Sequence, residues 1–446
     1  MKVIIIGGVA AGMSAASKIR RSDENAIITV YEKGVETSYG ACGLPYYISG
    51  ANDDVDLLRI RKPQEFRDKQ NIDVKLLHEV VSVNTELKQV EVSNLVTGEK
   101  FTDNYDKLVI SSGASPIIPP IEGLEPNLNN VFTVKTIEDG QAIKSYLLNN
   151  SIHNVVIAGA GYIGLEMVEA CHDLKKQVTL IELQDKLLAS VDDEIGSLIK
   201  QELYENNINV RLKEKIVKVN TNLGKVVSVE TPSGVYEADA LILATGVRPN
   251  TKFLEGTDIE LDRGAIVIND KMETSVKDIY AGGDCAVVYH KILKSNKYIP
   301  LGTYANKQGK LIGENVMGAN KSFPGGIGTA AIKILNLEVG RTGISEEEAK
   351  AYNMNYGTVF VKAPAHAPYY PGNEPIAIKL IYEKEKKTIL GAQLAGKKGA
   401  ALRADMFAII IDAGYTAEDI QHLDLLYAPP YAYVWDAIQI AAGRIK

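Results

Sequence analysis

Short apolar runs that end in glycine punctuate this chain. Val3-Ile4-Ile5-Ile6 leads into Gly7-Gly8, Val155-Val156-Ile157-Ala158 into Gly159-Ala160-Gly161, and Leu241-Ile242-Leu243-Ala244-Thr245 into Gly246. Continuous apolar runs closed by glycine predict strands buried on both faces of a parallel sheet. Leu108-Val109-Ile110-Ser111-Ser112-Gly113 is a looser copy. An Ala/Ser-rich helical pattern follows the first run from Met13, and Leu165-Glu166-Met167-Val168-Glu169 follows the second. A further strand then comes in each case, Ile27–Tyr31 and Gln177–Ile181, closed by Glu32 and Glu182. Strand, helix and strand in this order predict two parallel-sheet modules of one kind. They are the only internal repeat.

The period changes toward the C-terminus. Thr358–Lys362 and Ile376–Tyr382 alternate as half-buried strands do. Glu383-Lys384-Glu385-Lys386-Lys387 reads as a charged hairpin turn before the strand Thr388–Gly396, and Ala400 to Asp412 reads as a helix.

Composition narrows the function classes. A chain of 446 residues predicts two or three domains with ample core. A net charge of −7 argues against nucleic-acid binding, which needs a basic face. No apolar run approaches the roughly 20 residues of a membrane span. Lys2–Ile6 reads as a strand before a phosphate turn rather than as a signal peptide. Three scattered cysteines make no disulfide framework and predict a reducing compartment, the cytoplasm. The six histidines show no metal-ligand spacing, so no metal is expected.

The glycine turns carry the first chemistry. In Gly7-Gly8-Val9-Ala10-Ala11-Gly12, small residues at Gly7, Gly8, Ala11 and Gly12 let backbone approach a pyrophosphate. Glu32, with Lys33 beside it, stands where an acid takes ribose hydroxyls. Val9 replaces the middle glycine. The second loop, Gly159-Ala160-Gly161-Tyr162-Ile163-Gly164, is a full G-x-G-x-x-G, with Glu182 eighteen residues after Gly164. The Glu182 carboxylate repels a 2′-phosphate, and Leu183-Gln184-Asp185 supplies no arginine for one. NADH is therefore the expected nicotinamide, with NADPH open as an alternative.

Cys42 stands in Ser38-Tyr39-Gly40-Ala41-Cys42-Gly43-Leu44-Pro45-Tyr46-Tyr47, with Tyr47 where a C-x4-C partner thiol would be. Read alone, it is either a small buried residue or a redox thiol. Pro45 suits the first turn of a helix, whose dipole would favour a thiolate. Cys171, in an apolar helical stripe, and Cys285 read as structural.

Taken together, the two loops, the Ala244-Thr245-Gly246 turn, and Thr274 through Tyr280-Ala281-Gly282-Gly283-Asp284 resemble the FAD-dependent pyridine nucleotide–disulfide oxidoreductases over the whole chain. The resemblance implies an α/β fold of two Rossmann-like dinucleotide-binding domains, for FAD and NAD(P)H, plus an α+β C-terminal dimerisation domain. It implies FAD in residues 1–113 and 247–322, NAD(P)H in 114–246 and the interface in 323–446. It also implies that Asp284 holds the FAD ribitol and that Cys42 is the redox centre. The cofactor set becomes Gly7, Gly8, Ala11, Gly12, Glu32, Lys33 and Asp284 for FAD, and Gly159, Gly161, Tyr162, Gly164, Glu182 and Gly246 at the nicotinamide loop and its turn.

Within that family, Ala365-His366-Ala367-Pro368-Tyr369-Tyr370-Pro371-Gly372 and Leu426-Tyr427-Ala428-Pro429-Pro430-Tyr431 resemble the coenzyme A–disulfide reductases. The resemblance implies a homodimer in which Tyr369 and Tyr427 reach the neighbour's active site. It carries Ser14, Lys18, Arg21 and Ser38 to a coenzyme A pocket. His366 receives no role. Ala41 and Trp435 depart from the asparagine and lysine of some members. Ala10 stands where NADH peroxidases and water-forming oxidases carry histidine, which argues against peroxide turnover. NADH oxidase, persulfide or polysulfide reductase and, outside enzymes, a flavin redox sensor are the alternatives.

Overall fold

The computed structural model describes residues 1–446. The apolar runs form the middles of two parallel sheets. The first has the order Ile279–Ala281, Lys107–Ile110, Lys2–Ile6, Ile27–Glu32, Asp73–Leu76, with every pairing parallel. The second has the order Asn209–Leu212, Gln177–Glu182, Asn154–Ala158, Ala240–Leu243, Val131–Thr133, again wholly parallel. A three-stranded antiparallel sheet accompanies each: His78–Asn84 to Lys100–Asn104 in the first, Lys218–Asn222 to Gly234–Glu237 in the second. The chain leaves the first sheet after Lys107–Ile110 and returns to it at Ile279–Ala281. The outgoing strand Ala114–Pro116 and the returning strand Val247–Pro249 pair antiparallel as a two-stranded connector.

The tail forms a five-stranded antiparallel sheet in the order Ala330–Ile334, Leu337–Gly343, Ile389–Gly396, Pro375–Glu383, Tyr356–Pro364. The helix Ala400–Ala413 packs on it through Ala404, Phe407, Ile410 and Ile411. A buried lysine fastens this sheet to the second module. Lys379, 2% exposed, donates to both oxygens of Glu194 at 2.9 and 2.7 Å and to Glu346 at 2.6 Å. Asp192, which accepts from Gln393 at 2.7 Å, lies 3.6 Å from the same amine. A charge so deeply placed persists only when paired on several sides.

Both loop helices begin earlier than the hydrophobic pattern predicts, at Ala10 and at Tyr162 rather than near Met13 and Leu165. The loop's own small residues form the first helical turn. A Cβ on Gly12 would lie 1.9 Å from the Gly7 carbonyl oxygen, and one on Gly164 1.9 Å from that of Gly159. Val9, the residue before that helix, has a negative φ of −105° and so does not need the positive φ that glycine favours. Behind the first loop, the helix Gly302–Val316 lies directly on Ala10–Ser22. A Cβ on Gly309 would come within 2.3 Å of the Ala11 carbonyl oxygen.

The short helix Leu44–Ser49 belongs to a different core from the first sheet. Leu44, Tyr47 and Ile48 pack with Leu165 and Val168 of the second module and with Ile332 and Val339 of the tail. No helix is long and apolar enough to cross a membrane.

Gly309→Ala forces the two helices apart, because the colliding atom is backbone. Overpacking of this kind destabilises by roughly 1–3 kcal/mol. The expected result is a lower denaturant midpoint than the parent's; an unchanged midpoint would show that the helices separate freely.

Candidate active site

Each strand-end carboxylate is held by its own glycine loop. Glu32 accepts the Gly8 N–H and the Gly34 N–H, both at 2.7 Å. Glu182 accepts the Ala160 N–H at 2.7 Å and the Gln184 N–H at 2.8 Å. The two modules thus repeat one device, a fixed carboxylate beside a helix N-terminus. The positive φ of Gly7 (96°) and Gly159 (103°) makes the turn, and a Cβ would strike the carbonyl of Ser111 or Ala244 at 2.2 or 2.3 Å. Gly159, Gly161, Glu182 and Gly246 line a cleft of about 470 Å³. Tyr162 opens the following helix, its hydroxyl 3.2 Å from Ser190 Oγ. Gly164 is buried within that helix.

Around the first loop, Asp284 follows the strand Ile279–Ala281 through Gly282-Gly283. The φ of Gly283 is 82°, and a Cβ there would lie 3.1 Å from that of Ala11. Asp284 therefore stands beside the N-terminal turn of the first helix. Lys135 Nζ is 3.6 Å from its carboxylate. Gln308, fully buried, accepts the Gly283 N–H at 2.8 Å, while its Nε2 is a buried donor with no partner in the protein. A small-residue cradle, a fixed acid at the strand end, a second acid at the glycine turn and one orphaned buried amide suit a flavin dinucleotide. Gly7, Gly8, Ala11, Gly12, Glu32 and Asp284 would hold it. Lys33 is exposed beside Glu32 and makes no hydrogen bond.

Cys42 lies in a 3₁₀ turn, Ala41–Gly43, ahead of the helix Leu44–Ser49. It is exposed, whereas Cys171 and Cys285 are fully buried. Burial pushes the Cys171 thiol up to about 12. The expectation that a helix dipole favours the Cys42 thiolate is corrected. Desolvation by the surrounding protein, then the charges of Glu166 and Asp284, raise its pKa; Lys135 and a backbone hydrogen bond pull the other way. The helix is only six residues long, with Pro45 in its first turn.

Glu166 carries no motif, and sequence reasoning missed it. It is half-buried on the nicotinamide-loop helix Tyr162–Asp173 and has no hydrogen-bond partner. Desolvation first, then repulsion from Glu169, lifts its pKa to about 7. Desolvation first, then the same carboxylate, raises the Tyr46 phenol. Glu169 is held by Lys333 and by the Leu335 N–H at 2.8 Å, which leaves Glu166 as the unpaired acid of the two. Lys135 and Gln308 were equally invisible in the sequence, because only tertiary folding brings them to the site.

The residues expected to bind coenzyme A gather in part. Ser38 adopts a φ of 50° and donates its N–H to the Gly8 carbonyl at 3.0 Å, against the first loop. Ser14 Oγ donates to Asn306 at 3.1 Å. Lys18 is 3.1 Å from Glu314, which Lys321 also approaches at 3.1 Å. Arg21 is exposed without a carboxylate partner. Its neighbour Arg20 serves structure, donating to the carbonyls of Gln70 and Asn71 at 2.8 Å.

The Tyr369 and Tyr427 hydroxyls hydrogen-bond each other, and that bond raises the Tyr369 phenol. No hydrogen bond joins either to Cys42 within the chain. Their loops are pinned together. The Ala367 N–H donates to the Pro429 carbonyl at 3.3 Å. Buried Arg403 donates to Asp436 at 2.6 Å, to the Ala365 carbonyl at 2.9 Å and to the Tyr431 carbonyl at 3.5 Å. His366, without a role in the sequence, is buried edge-on against Tyr370 at 5.5 Å. Tyr369, Tyr370, Tyr427, Tyr431 and Trp435 leave an exposed aromatic patch.

Glu166→Gln removes a charge that opposes the Cys42 thiolate. Glu166 is anionic above pH about 7 and neutral below it. Above that pH, alkylation of reduced Cys42 by iodoacetamide is expected to run severalfold faster in the variant; below it, variant and parent converge. Rate profiles that overlay at every pH would remove Glu166 from the thiol's surroundings.

Comparison with known proteins places this geometry. Residues 1–309 match the model described as pyridine nucleotide-disulphide oxidoreductase, and residues 329–437 match that family's dimerisation domain. An NAD(P)H coenzyme A polysulfide/persulfide reductase from Pyrococcus horikoshii is 38% identical over 447 aligned residues, covering 100% of this chain and 98% of the relative. A coenzyme A disulfide reductase from Staphylococcus aureus is 34% identical over 448 aligned residues, covering 100% of each. The solved structure of an NAD-dependent persulfide reductase from A. fulgidus superposes with a TM-score of 0.95 at 37% identity, covering 99% of this chain and 82% of that one. The family uses FAD and NAD(P)H. The chain belongs to the pyridine nucleotide-disulphide oxidoreductases.

Proposed function

We propose that this enzyme reduces coenzyme A disulfide, or a related small mixed disulfide of coenzyme A, at the expense of NAD(P)H, through Cys42 alone. One observation carries the reading: Cys42 is the only exposed cysteine, and it sits on a turn that feels the charges of Asp284 from the first module and Glu166 from the second. Bound FAD supplies the two-electron relay between nicotinamide and sulfur. The Cys42 thiolate attacks one sulfur of the disulfide, forming a Cys42–coenzyme A disulfide and expelling the second coenzyme A as its thiolate. Two electrons and a proton then break that mixed disulfide, returning the Cys42 thiolate and free thiol. In sum, one disulfide, one NAD(P)H and one proton give two thiols and NAD(P)⁺.

Tyr369 and Tyr427 protonate the departing thiolates from the partner subunit of a homodimer. Support comes from the family's dimerisation domain over residues 329–437 and from the exposed aromatic patch that carries both phenols. Their mutual hydrogen bond makes them a unit, and a protonated phenol is a donor at neutral pH. Ser14, Lys18, Arg21 and Ser38 bind the coenzyme A. Domain limits of 1–113 with 247–322, 114–246 and 323–446 are consistent with the return of the chain to the first sheet at Ile279–Ala281. Three unpaired thiols fit the cytoplasm.

A second reading, reduction of a coenzyme A persulfide or polysulfide, is favoured by the 38% identity to the P. horikoshii reductase. It uses the same thiol. Steady-state NADH oxidation with coenzyme A disulfide, with coenzyme A persulfide and with oxygen alone separates these readings. Ala10 in the first loop predicts little turnover with oxygen or peroxide.

Cys42→Ser should keep FAD and its reduction by NADH, while disulfide turnover falls at least about 10³-fold. Undiminished turnover would falsify the assignment. Tyr369→Phe with Tyr427→Phe should slow turnover roughly 10²-fold with flavin reduction intact; parental turnover would leave the phenols without a proton-donor role.

A further inference from the structure

The Glu182 carboxylate argues for NADH, and Leu183-Gln184-Asp185 after it supplies no cation. The fold supplies one from elsewhere. After the strand Asn209–Leu212, the chain runs back along the segment that carries Glu182. The Glu214 N–H donates to the Glu182 carbonyl and the Lys213 N–H to the Gln184 carbonyl, both at 3.0 Å. Residues 214–216 then alternate: Glu214 and Ile216 are buried and Lys215 is exposed. The Glu214 side chain turns inward to accept from Thr231 at 2.7 Å and Tyr236 at 3.0 Å. Lys215 thus emerges at the cleft that Glu182, Gln184 and Gly159 also line.

The other cations nearby are already engaged. Lys186, also on the cleft, is paired with Glu347 and lies 3.6 Å from Asp193. Lys213 is 2.6 Å from Asp185. Arg211 lies over the Tyr236 ring at 5.4 Å. Lys215 has no carboxylate within ion-pair distance, so it is the unpaired cation of the cleft lining. Glu182 also has both oxygens occupied by backbone N–H groups, which fixes its direction and partly offsets its charge.

Resting on the assignment of this cleft to the nicotinamide dinucleotide, we propose that Lys215 is the specificity residue that lets it accept the 2′-phosphate of NADPH as well as the free ribose of NADH. A charge-assisted contact at the 2′-phosphate exists only in the phosphorylated dinucleotide, so Lys215 acts on NADP and not on NAD. The carboxylate and the amine stand on adjacent segments clamped by two backbone hydrogen bonds, so one cleft presents both.

The test is isothermal titration of the holoenzyme with NADP⁺ and with NAD⁺. Lys215→Ala should weaken NADP⁺ roughly tenfold and leave NAD⁺ within about twofold. Lys215→Arg should retain NADP⁺ binding, and the parent's NADP⁺ affinity should fall more steeply with salt than that of Lys215→Ala. Equal loss for both dinucleotides, no loss for either, or a parent that does not bind NADP⁺ overturns the proposal. A parent that binds NAD⁺ normally but shows no Lys215 dependence sinks this inference alone. Failure of Gly159→Ala to impair either dinucleotide would instead sink the assignment of the cleft.

Discussion

Backbone-to-backbone approach at the mouths of two parallel sheets is the constraint on which the rest of this enzyme depends. At Gly7 and Gly12, and again at Gly159 and Gly164, a single added carbon would overlap a carbonyl oxygen. The contacts bring a helix N-terminus, a strand-end carboxylate and a neighbouring strand within one dinucleotide's reach. Gly309 extends the same principle outward, letting a second helix lie on the first and carry Gln308 to Gly283. Glycine here is selected for the volume it leaves vacant as much as for its φ.

The thiol lives in an electrostatic field assembled from several parts of the chain. Asp284 follows a strand of the first sheet, Glu166 stands on the helix after the second glycine loop, and Lys135 follows the edge strand Val131–Thr133 of the second sheet. Desolvation first, then two acids against one base, holds the sulfur toward its protonated form when no other group is near. The reactivity of Cys42 therefore depends on what binds beside it, and burial of the other two cysteines keeps alternative sulfurs out of the chemistry.

Legibility in the sequence followed locality. The two glycine loops, the acids at the strand ends and the lone cysteine were readable because each is a contiguous signal with a local cause. The alternating strands of the tail and the helix after Ala400 were readable for the same reason. Helix starts were misplaced by three residues because small residues look like loop until their crowding is seen. The direction of the thiol's titration was misread because the nearby proline suggested a dipole, whereas desolvation and then charges from distant segments oppose the thiolate. Glu166, Lys135, Gln308 and Lys215 share that origin: none has a motif, and only the fold gives each a neighbour. The tyrosine pair was singled out through family resemblance alone, and the Arg403–Asp436 contact that pins its loops carries no motif.

The placement of the helix Leu44–Ser49 has a mechanical consequence. Its apolar face is seated among side chains of the nicotinamide module and the C-terminal sheet, not in the core of the sheet from which the chain has just come. Lys379 and its acids rivet those two bodies to each other. The turn that carries Cys42 is therefore anchored to two bodies at once, through the Ser38 N–H on the Gly8 carbonyl and through Leu44 in the second core.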